Sequence, residues 1–187
     1  MIQIDIRPDL RAVERELSRL QDGLRDRVIA AAINKTADKA RAEMTRQITG
    51  EFNIKAKDVR AQLKVRRATA KGAMLVAELE AMSKLGGRRS LNLIHFAARQ
   101  TAKGVTVKVK RGGARKLIAG AWIGNDGRTV FQRVGKQRLP IKALQTIDVP
   151  QMFNTRRLNA AVVRKIQTEL PVEIGRALVA LAAKSRG

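Results

Sequence analysis

Apolar residues recur every three or four positions over residues 10–48, which is the spacing of one buried face of an α-helix. Residues 2–6 come before this run and alternate apolar with polar side chains, which predicts a short half-buried strand. Pro8 suits the first turn of the helix, and Thr49-Gly50 suits its end. The pattern predicts one long amphipathic helix, with Asp22-Gly23 as the point where it bends or breaks.

The pattern then changes to the period of two that is typical of β-strands. Residues 63–70 and 73–81 predict a hairpin that turns at Lys71-Gly72. Before this hairpin, Asn53 is expected to cap a short helix over residues 54–62.

Further strands are predicted over residues 104–111, 117–124 and 128–134. Asn125-Asp126-Gly127 predicts the turn before the last of these strands. Residues 83–90 carry three basic side chains and two glycines, which predicts a flexible basic loop ahead of them.

Helical spacing returns after Pro150, where apolar residues recur every three or four positions from Leu158 to Leu181. Pro171 lies within this run, so we expect a kink there or two abutting helices. Helical stripes at both ends of the chain exceed what a small sheet can cover. They indicate helix–helix packing, either within the subunit or between copies.

The segregated elements predict an α+β fold with a long N-terminal amphipathic helix, a central antiparallel β-sheet with basic loops, and C-terminal helices. We expect a single domain over residues 1–187. Its three parts are an N-terminal strand and helices (1–62), a mostly β region (63–147) and C-terminal helices (148–187).

Charge changes this picture, because 39 Lys and Arg against 16 Asp and Glu give a formal net charge of +23. Residues 99–142 concentrate the excess, with twelve basic residues against one acidic residue, Asp126. Such a charge indicates a polyanionic or acidic partner. The chain has no Cys, which excludes disulfides and thiolate chemistry. It has neither a long apolar span nor a signal peptide, so we expect no membrane association.

Catalytic groups are scarce in the sequence. His95 is the only histidine and stands in an apolar run, where we expect no nearby carboxylate, so we interpret it as a packed side chain. Glu78 and Glu80 share one face of a predicted strand, where pairing with Lys or Arg is the simpler interpretation. A metal-dependent nuclease would have to rely on these three residues. We therefore expect no enzymatic activity, no cofactor, no bound metal and no small-molecule substrate.

Basic residues of the positive segment form the candidate interaction site, which we call the predicted basic cluster. Its members are Lys108, Lys110, Arg111, Arg115, Lys116, Arg133, Lys136 and Arg138. Two interpretations stay open, contact with DNA phosphates and contact with acidic protein surfaces in an assembly. The absence of a base-reading motif argues against sequence-specific recognition. A free nucleic-acid-binding protein without sequence specificity is the alternative function.

Three stretches of the chain, residues 27–41, 54–72 and 107–153, resemble the minor tail protein Z family of tailed phages and prophages. The third stretch is the longest and contains a Gly-Ala-aromatic-Ile strand, a basic turn and a Leu-Pro-Ile triplet. The positions that match as structural motifs are Gly120, Trp122, Gly135, Leu139, Pro140, Ile141 and Pro150. The resemblance makes Leu139-Pro140-Ile141 an expected structural anchor at a buried hinge, with the basic residues around it as an interaction loop.

The resemblance implies a structural protein at the head-proximal end of the phage tail. There it would complete the tail, join it to the head and hold the end of the genome. The implied partners are further copies of the chain in a hexameric ring, the tail terminator, the tail tube and head-completion proteins, and double-stranded DNA. The implied location is the virion, with the host cytoplasm during assembly.

Overall fold

The computed structural model describes residues 2–7, 17–18, 22–70, 75–82 and 90–184. Helix makes up 45% and strand 25%, which confirms the predicted α+β class. The helices are α1 (Asp22–Glu51), α2 (Ala56–Arg60), α3 (Val149–Phe153) and α4 (Arg156–Lys184), with a 3₁₀ turn at Leu93–His95. The strands are β1 (Ile2–Ile6), β2 (Leu63–Arg66), β3 (Ala77–Ala81), β4 (Arg99–Thr101), β5 (Gly104–Val107), β6 (Lys116–Ala119), β7 (Ala121–Gly124), β8 (Thr129–Arg133) and β9 (Ile141–Ala143).

The β-structure is antiparallel, as predicted, and the described residues form three small sheets. Sheet 1 has the order β1-β3-β2, sheet 2 the order β4-β5-β6, and sheet 3 the order β7-β8-β9. The chain divides into two compact units. The first comprises Met1–Met44, Leu63–Ala81 and Thr155–Gly187, and the second comprises Thr45–Gln62 and Met82–Asn154. The prediction of a single domain stays a prediction.

The helical stripes form much of the core of the first unit, as their spacing predicts. On α1 five stripe residues of this unit are at most 4% exposed, namely Val28, Ile33, Ala37, Ala40 and Met44, whereas Leu24 is half-buried. On α4 five stripe residues are at most 8% exposed, namely Leu158, Val162, Ile166, Leu170 and Ile174, whereas Leu178 and Leu181 are half-buried. Burial of this extent is the main source of helix stability in a folded protein.

Asn34 joins α1 to the segment that follows β2 in the first unit. Its side-chain amide donates to the carbonyl of Ala68 at 3.0 Å, and its Oδ1 accepts from the Ala68 amide at 2.8 Å. The side chain thus satisfies both backbone groups of one residue, as a neighbouring strand would do. This contact explains why Asn stands in the Ala-Ile-Asn-Lys segment of the helix.

A group of charged side chains links α1 to α4. Lys39 hydrogen-bonds Glu169 and lies 2.6 Å from Glu173, while Lys165 lies 2.7 Å from Glu169. Hydrogen bonds from Lys165 and then Lys39 lower the pKa of Glu169 from its ordinary 4.5 to about 2. Hydrogen bonding by Lys39, with a smaller contribution from Arg176, lowers the pKa of Glu173. The two glutamates also raise the pKa of Lys39.

In the second unit, sheets 2 and 3 share a core. Its buried side chains are Leu93, Val105, Val107, Ala121 and Val130. The Oε1 atom of Gln100 on β4 accepts a hydrogen bond from the Ile123 amide of β7 at 2.8 Å, which joins the two sheets. Val105 and Val107 are both buried in this core, as their alternation with polar residues in the sequence predicted.

Gly120 separates two strands where the sequence predicted one strand over residues 117–124. Its φ of +67° lies in the left-handed region that favours glycine, and the chain passes there from β6 in sheet 2 to β7 in sheet 3. The turn prediction at Asn125-Asp126-Gly127 is confirmed, since all three residues have positive φ between β7 and β8.

The predicted helix boundaries need three corrections. Helix α1 ends at Glu51, one residue beyond Thr49-Gly50. Helix α2 begins after Lys55 without a side-chain cap, so the prediction of capping by Asn53 is wrong. Helix α4 contains Pro171 as an interior residue, so the possibility of two abutting helices is also wrong.

Several predictions concern residues outside the described ranges. The helix start at Pro8 and the turn at Lys71-Gly72 lie there, as does the basic loop except for Ser90. The described part of the long helix begins at Asp22, and the pairing of β2 with β3 agrees with the predicted hairpin.

Replacing Lys39 with Met tests the charged group between α1 and α4. A carboxylate with a lowered pKa stabilises the fold above its unfolded pKa, and this stability is lost as the pH falls through the folded value. For Glu169 this loss falls between pH 4.5 and about 2. We expect K39M to lower the denaturant midpoint at pH 7 and to weaken the pH dependence of the midpoint in this window.

The matched control is D38N, which changes the residue next to Lys39 on α1 and removes its exposed ion pair with Arg67. Exposed pairs contribute little to stability, so D38N should leave the midpoint nearly unchanged. Equal midpoints for K39M and the unmodified protein at both ends of the pH window would contradict the assignment.

Candidate partner-binding surface

Strands β8 and β9 and the loop between them form an antiparallel hairpin, which we call the basic hairpin (residues 129–143). The register places Arg133 opposite Ile141 and Gln132 opposite Lys142. The Val134 amide donates to the Pro140 carbonyl at 3.0 Å and closes the loop. The hairpin therefore presents its loop residues on a paired two-strand base.

Three apolar side chains near the loop of the basic hairpin are exposed. Val134 is 59% exposed, Leu139 65% and Ile141 44%. Pro140 is also exposed, so the expectation that Leu139-Pro140-Ile141 sits at a buried hinge is wrong. The physical reason is that this triplet lies at the end of a sheet, beyond the core that covers Val130.

Trp122, Phe131 and Arg133 lie together on the outer face of sheet 3. The two rings are 6.0 Å apart between centroids, and the Arg133 guanidinium lies 5.8 Å from the centroid of the Trp122 ring. That distance is within the range of cation–π attraction. A Cβ atom at Gly124 would meet the Phe131 ring at 3.2 Å, so glycine leaves room for the ring. The side chains on this face are thus held in place.

Three members of the predicted basic cluster are engaged by the fold itself. Arg111 donates through Nε to the Thr49 carbonyl at 2.6 Å and through its amide to the Glu51 carbonyl at 2.8 Å. Helix ends leave carbonyls without partners, so Arg111 satisfies the C-terminal end of α1. Lys110 lies 3.9 Å from the carboxylate of Glu51.

Arg115 is the third of these structural cations. Its Nη1 donates to the Ala97 carbonyl at 2.8 Å and lies 3.4 Å from both Thr106 oxygens. Ala97 has a positive φ of 49°, so Arg115 stabilises a turn that strains a non-glycine residue.

Lys108 and Lys116 flank the β5–β6 connection. Strand β5 ends at Val107, so Lys108 and Lys110 do not share a strand face as predicted. Lys108 is half-buried, whereas Lys116 is exposed opposite Val107 on β6.

Arg133, Lys136 and Arg138 are the cluster members that the structure brings together on one hairpin. All three are exposed, and so is Lys142, which the predicted cluster left out although it follows the Leu-Pro-Ile triplet directly. Among the described residues, no carboxylate lies within ion-pair distance of these four cations. The signal that could have found Lys142 is its place in the same acid-free run.

The remaining motif positions have structural explanations of different strength. Pro150 lies in the first turn of α3, where Asp148 and Gln151 form a capping box. Gly135 lies in the hairpin loop, and a Cβ atom there would meet nothing within 4 Å. Packing thus accounts for Pro150 but does not require glycine at Gly135.

The candidate catalytic residues are paired with other side chains. His95 Nδ1 lies 3.1 Å from Asp58 Oδ2, so the expectation of no nearby carboxylate is wrong. Arg66 lies 3.6 Å from Glu78 and 2.9 Å from Glu80, which confirms the predicted pairing with a basic residue. The Glu80 contact lacks hydrogen-bond geometry and is an ion pair only.

Two further searches cover the described part of the chain. No group of three His, Cys, Asp or Glu side chains there could hold a metal ion. No described helix is long and apolar enough to cross a membrane.

Comparison with known proteins gives one match. The family model described as Prophage minor tail protein Z (GPZ) matches residues 10–181. No curated protein and no solved structure matches the chain. The family match includes the basic hairpin and all seven motif positions, and it confirms the resemblance found in the sequence.

The contacts of Arg115 and Lys136 predict that truncating these two side chains changes the stability by different amounts. R115A leaves the Ala97 carbonyl without its charged donor and should lower the free energy of unfolding by about 1–2 kcal/mol. K136A removes an exposed side chain without a described partner and should change it by less than about 0.5 kcal/mol. Urea denaturation of both variants measures the difference, and equal effects would contradict the division into structural and free cations.

Proposed function

Because the chain belongs to the prophage minor tail protein Z family, a family of structural phage tail proteins, we propose that it completes the tail at its head-proximal end and joins it to the head. In this role it is a non-enzymatic virion component that is assembled in the host cytoplasm. Its partners are the tail terminator, the tail tube and the head-completion proteins, and it lies near the end of the double-stranded genome.

The observation that carries this proposal is the basic hairpin. A set of exposed cations without counter-charges within the described chain is costly to keep together unless a partner neutralises them. Attachment at the junction of tail, head and genome would supply that partner, because other virion proteins and nucleic acid meet there.

Copies of the chain form a closed ring in this proposal, with six-fold symmetry. A ring of identical subunits needs two different complementary surfaces on each copy. Exposed apolar side chains on α4 support such a contact, since Val163 is 39% exposed, Val172 47% and Val179 71%. Apolar contacts suit this chain, because a strongly positive surface repels its own copies.

Replacing Arg133, Lys136 and Arg138 together with Glu should block head–tail joining and leave the fold intact, since all three side chains are exposed. Complementation of a phage that lacks this protein measures the effect, with infectious titre and free heads and tails as readouts. We expect the titre to fall by at least tenfold and unjoined particles to accumulate.

The matched control is K55E/K57E/K103E, which makes the same change in net charge at three exposed lysines outside the hairpin. This control should join heads and tails normally. Normal joining by the hairpin variant would sink the proposal, and equal loss in both variants would show that net charge alone is responsible.

The alternative function is a free nucleic-acid-binding protein without sequence specificity, which the net charge of +23 favours. It predicts tight duplex binding whose log affinity falls by about 0.9 per neutralised phosphate with log salt. Fluorescence anisotropy with a labelled duplex over a range of salt concentrations measures this slope. For a tail protein we expect weak binding at physiological salt. Tight binding with a steep slope, together with normal joining by the charge-reversed hairpin, would favour the alternative.

A further inference from the structure

The basic hairpin carries apolar surface that contact with DNA phosphates would leave uncovered. Val134, Leu139 and Ile141 alternate with or adjoin the exposed cations, and each of the three is at least 44% exposed. Phosphates accept hydrogen bonds and neutralise cations, but they have no apolar surface that could bury a leucine or valine side chain. A protein surface can both pair with the cations and bury the apolar side chains, because interface cores are apolar and enriched in aromatic residues and arginine.

The aromatic pair of Trp122 and Phe131 extends the apolar surface next to Ile141. Trp122 and Phe131 are half-buried on the same face of sheet 3 as Arg133 and Ile141. Arg133 is already held over the Trp122 ring, so little side-chain freedom remains to be lost on binding. Tryptophan and arginine dominate the affinity of many protein interfaces.

The backbone of β9 offers a further point of attachment. It is an edge strand of sheet 3. The Val134 amide bonds the Pro140 carbonyl and the Leu144 amide bonds the Val130 carbonyl. Hydrogen-bonded pairs alternate along an antiparallel ladder, so the amides and carbonyls of Ile141 and Ala143 point away from β8. A short extended segment can pair with these groups.

The charge of the occupant follows from its surroundings. Arg133, Lys136, Arg138 and Lys142 select an acidic segment. A second copy of this chain is a poor source, because every carboxylate whose side chain the structure describes already has a partner. These paired carboxylates belong to Asp5, Asp26, Asp38, Glu43, Glu51, Asp58, Glu78, Glu80, Asp126, Asp148, Glu169 and Glu173.

We propose that the basic hairpin binds an acidic, partly apolar segment of a different virion protein. The segment places apolar side chains against Val134, Leu139 and Ile141 and carboxylates against the surrounding cations. This inference rests on the proposed function for the identity of the partner as a virion protein. It decides between the two interpretations of the basic residues in favour of protein over DNA.

A binding experiment with defined probes tests the proposal on the full-length protein. The probes are a short peptide that alternates Glu with Leu, a peptide of equal length and charge that alternates Glu with Ser, and a short random-sequence duplex. Trp122 is the only tryptophan in the chain and lies on the proposed surface, so its fluorescence reports binding. We expect the Glu-Leu peptide to bind about tenfold tighter than the Glu-Ser peptide or more, because the leucines bury apolar surface on the hairpin and the serines do not.

Two variants separate the apolar contribution from the charges. V134S/L139S/I141T keeps every charge and should bind both peptides equally weakly, at the affinity of the Glu-Ser peptide. R133E/K136E/R138E should bind neither peptide. Both sets of side chains are exposed, and an unchanged circular dichroism spectrum checks that each variant is folded.

The opposite results overturn the inference. Equal affinity of the unmodified protein for the two peptides would do so, as would a duplex that binds tighter than either peptide and is indifferent to V134S/L139S/I141T. Complementation separates the two proposals. If charge reversal blocks joining while V134S/L139S/I141T joins normally, only the protein-docking inference fails. If the charge-reversed variant joins normally, the proposed function fails irrespective of the peptides.

Discussion

The shortage of carboxylates relative to cations is the constraint on which the rest of the structure depends. With 16 acidic residues against 39 basic ones, each carboxylate has to be used where the fold needs it. Glu169 and Glu173 hold α4 to Lys39 of α1, Glu80 pairs with Arg66 across sheet 1, and Asp148 caps α3. Once these are committed, the described chain has none left for the basic hairpin.

The cations consequently divide into two kinds. Arg111 and Arg115 bind backbone carbonyls at a helix end and at a strained turn, and so they act as parts of the fold. Arg133, Lys136 and Arg138 lie on an exposed hairpin among apolar side chains, and in our proposal a binding partner supplies their counter-charge. The same excess of positive charge thus serves folding in one place and, in our proposal, assembly in another.

Local patterns of the sequence predicted most helices and strands, but they did not predict contacts between residues that are distant in sequence. The helical stripes of α1 and α4 and the alternation of Val105 and Val107 follow directly from periodicity, because burial of one face fixes the period. The pairing of His95 with Asp58 joins residues 37 apart, and that of Arg111 with Thr49 joins residues 62 apart. No local signal announces such contacts.

Two further misses concern the candidate site itself. The family resemblance implied that Leu139 and Ile141 lie at a buried hinge, although a hydrophobic side chain at the end of a small sheet has no core to enter. Residues 117–124 have the pattern of one strand, in which Gly120 is the only internal interruption. Its positive φ is what sends the chain from sheet 2 to sheet 3.

The central claim is that the basic hairpin meets another protein in the virion. A photo-crosslinking amino acid placed at Lys136, with assembled particles irradiated and the crosslinked peptides sequenced, tests it most directly. Our account predicts crosslinks to an acidic segment of a different tail or head protein. Crosslinks to genomic DNA alone, or to other copies of this chain alone, would contradict it.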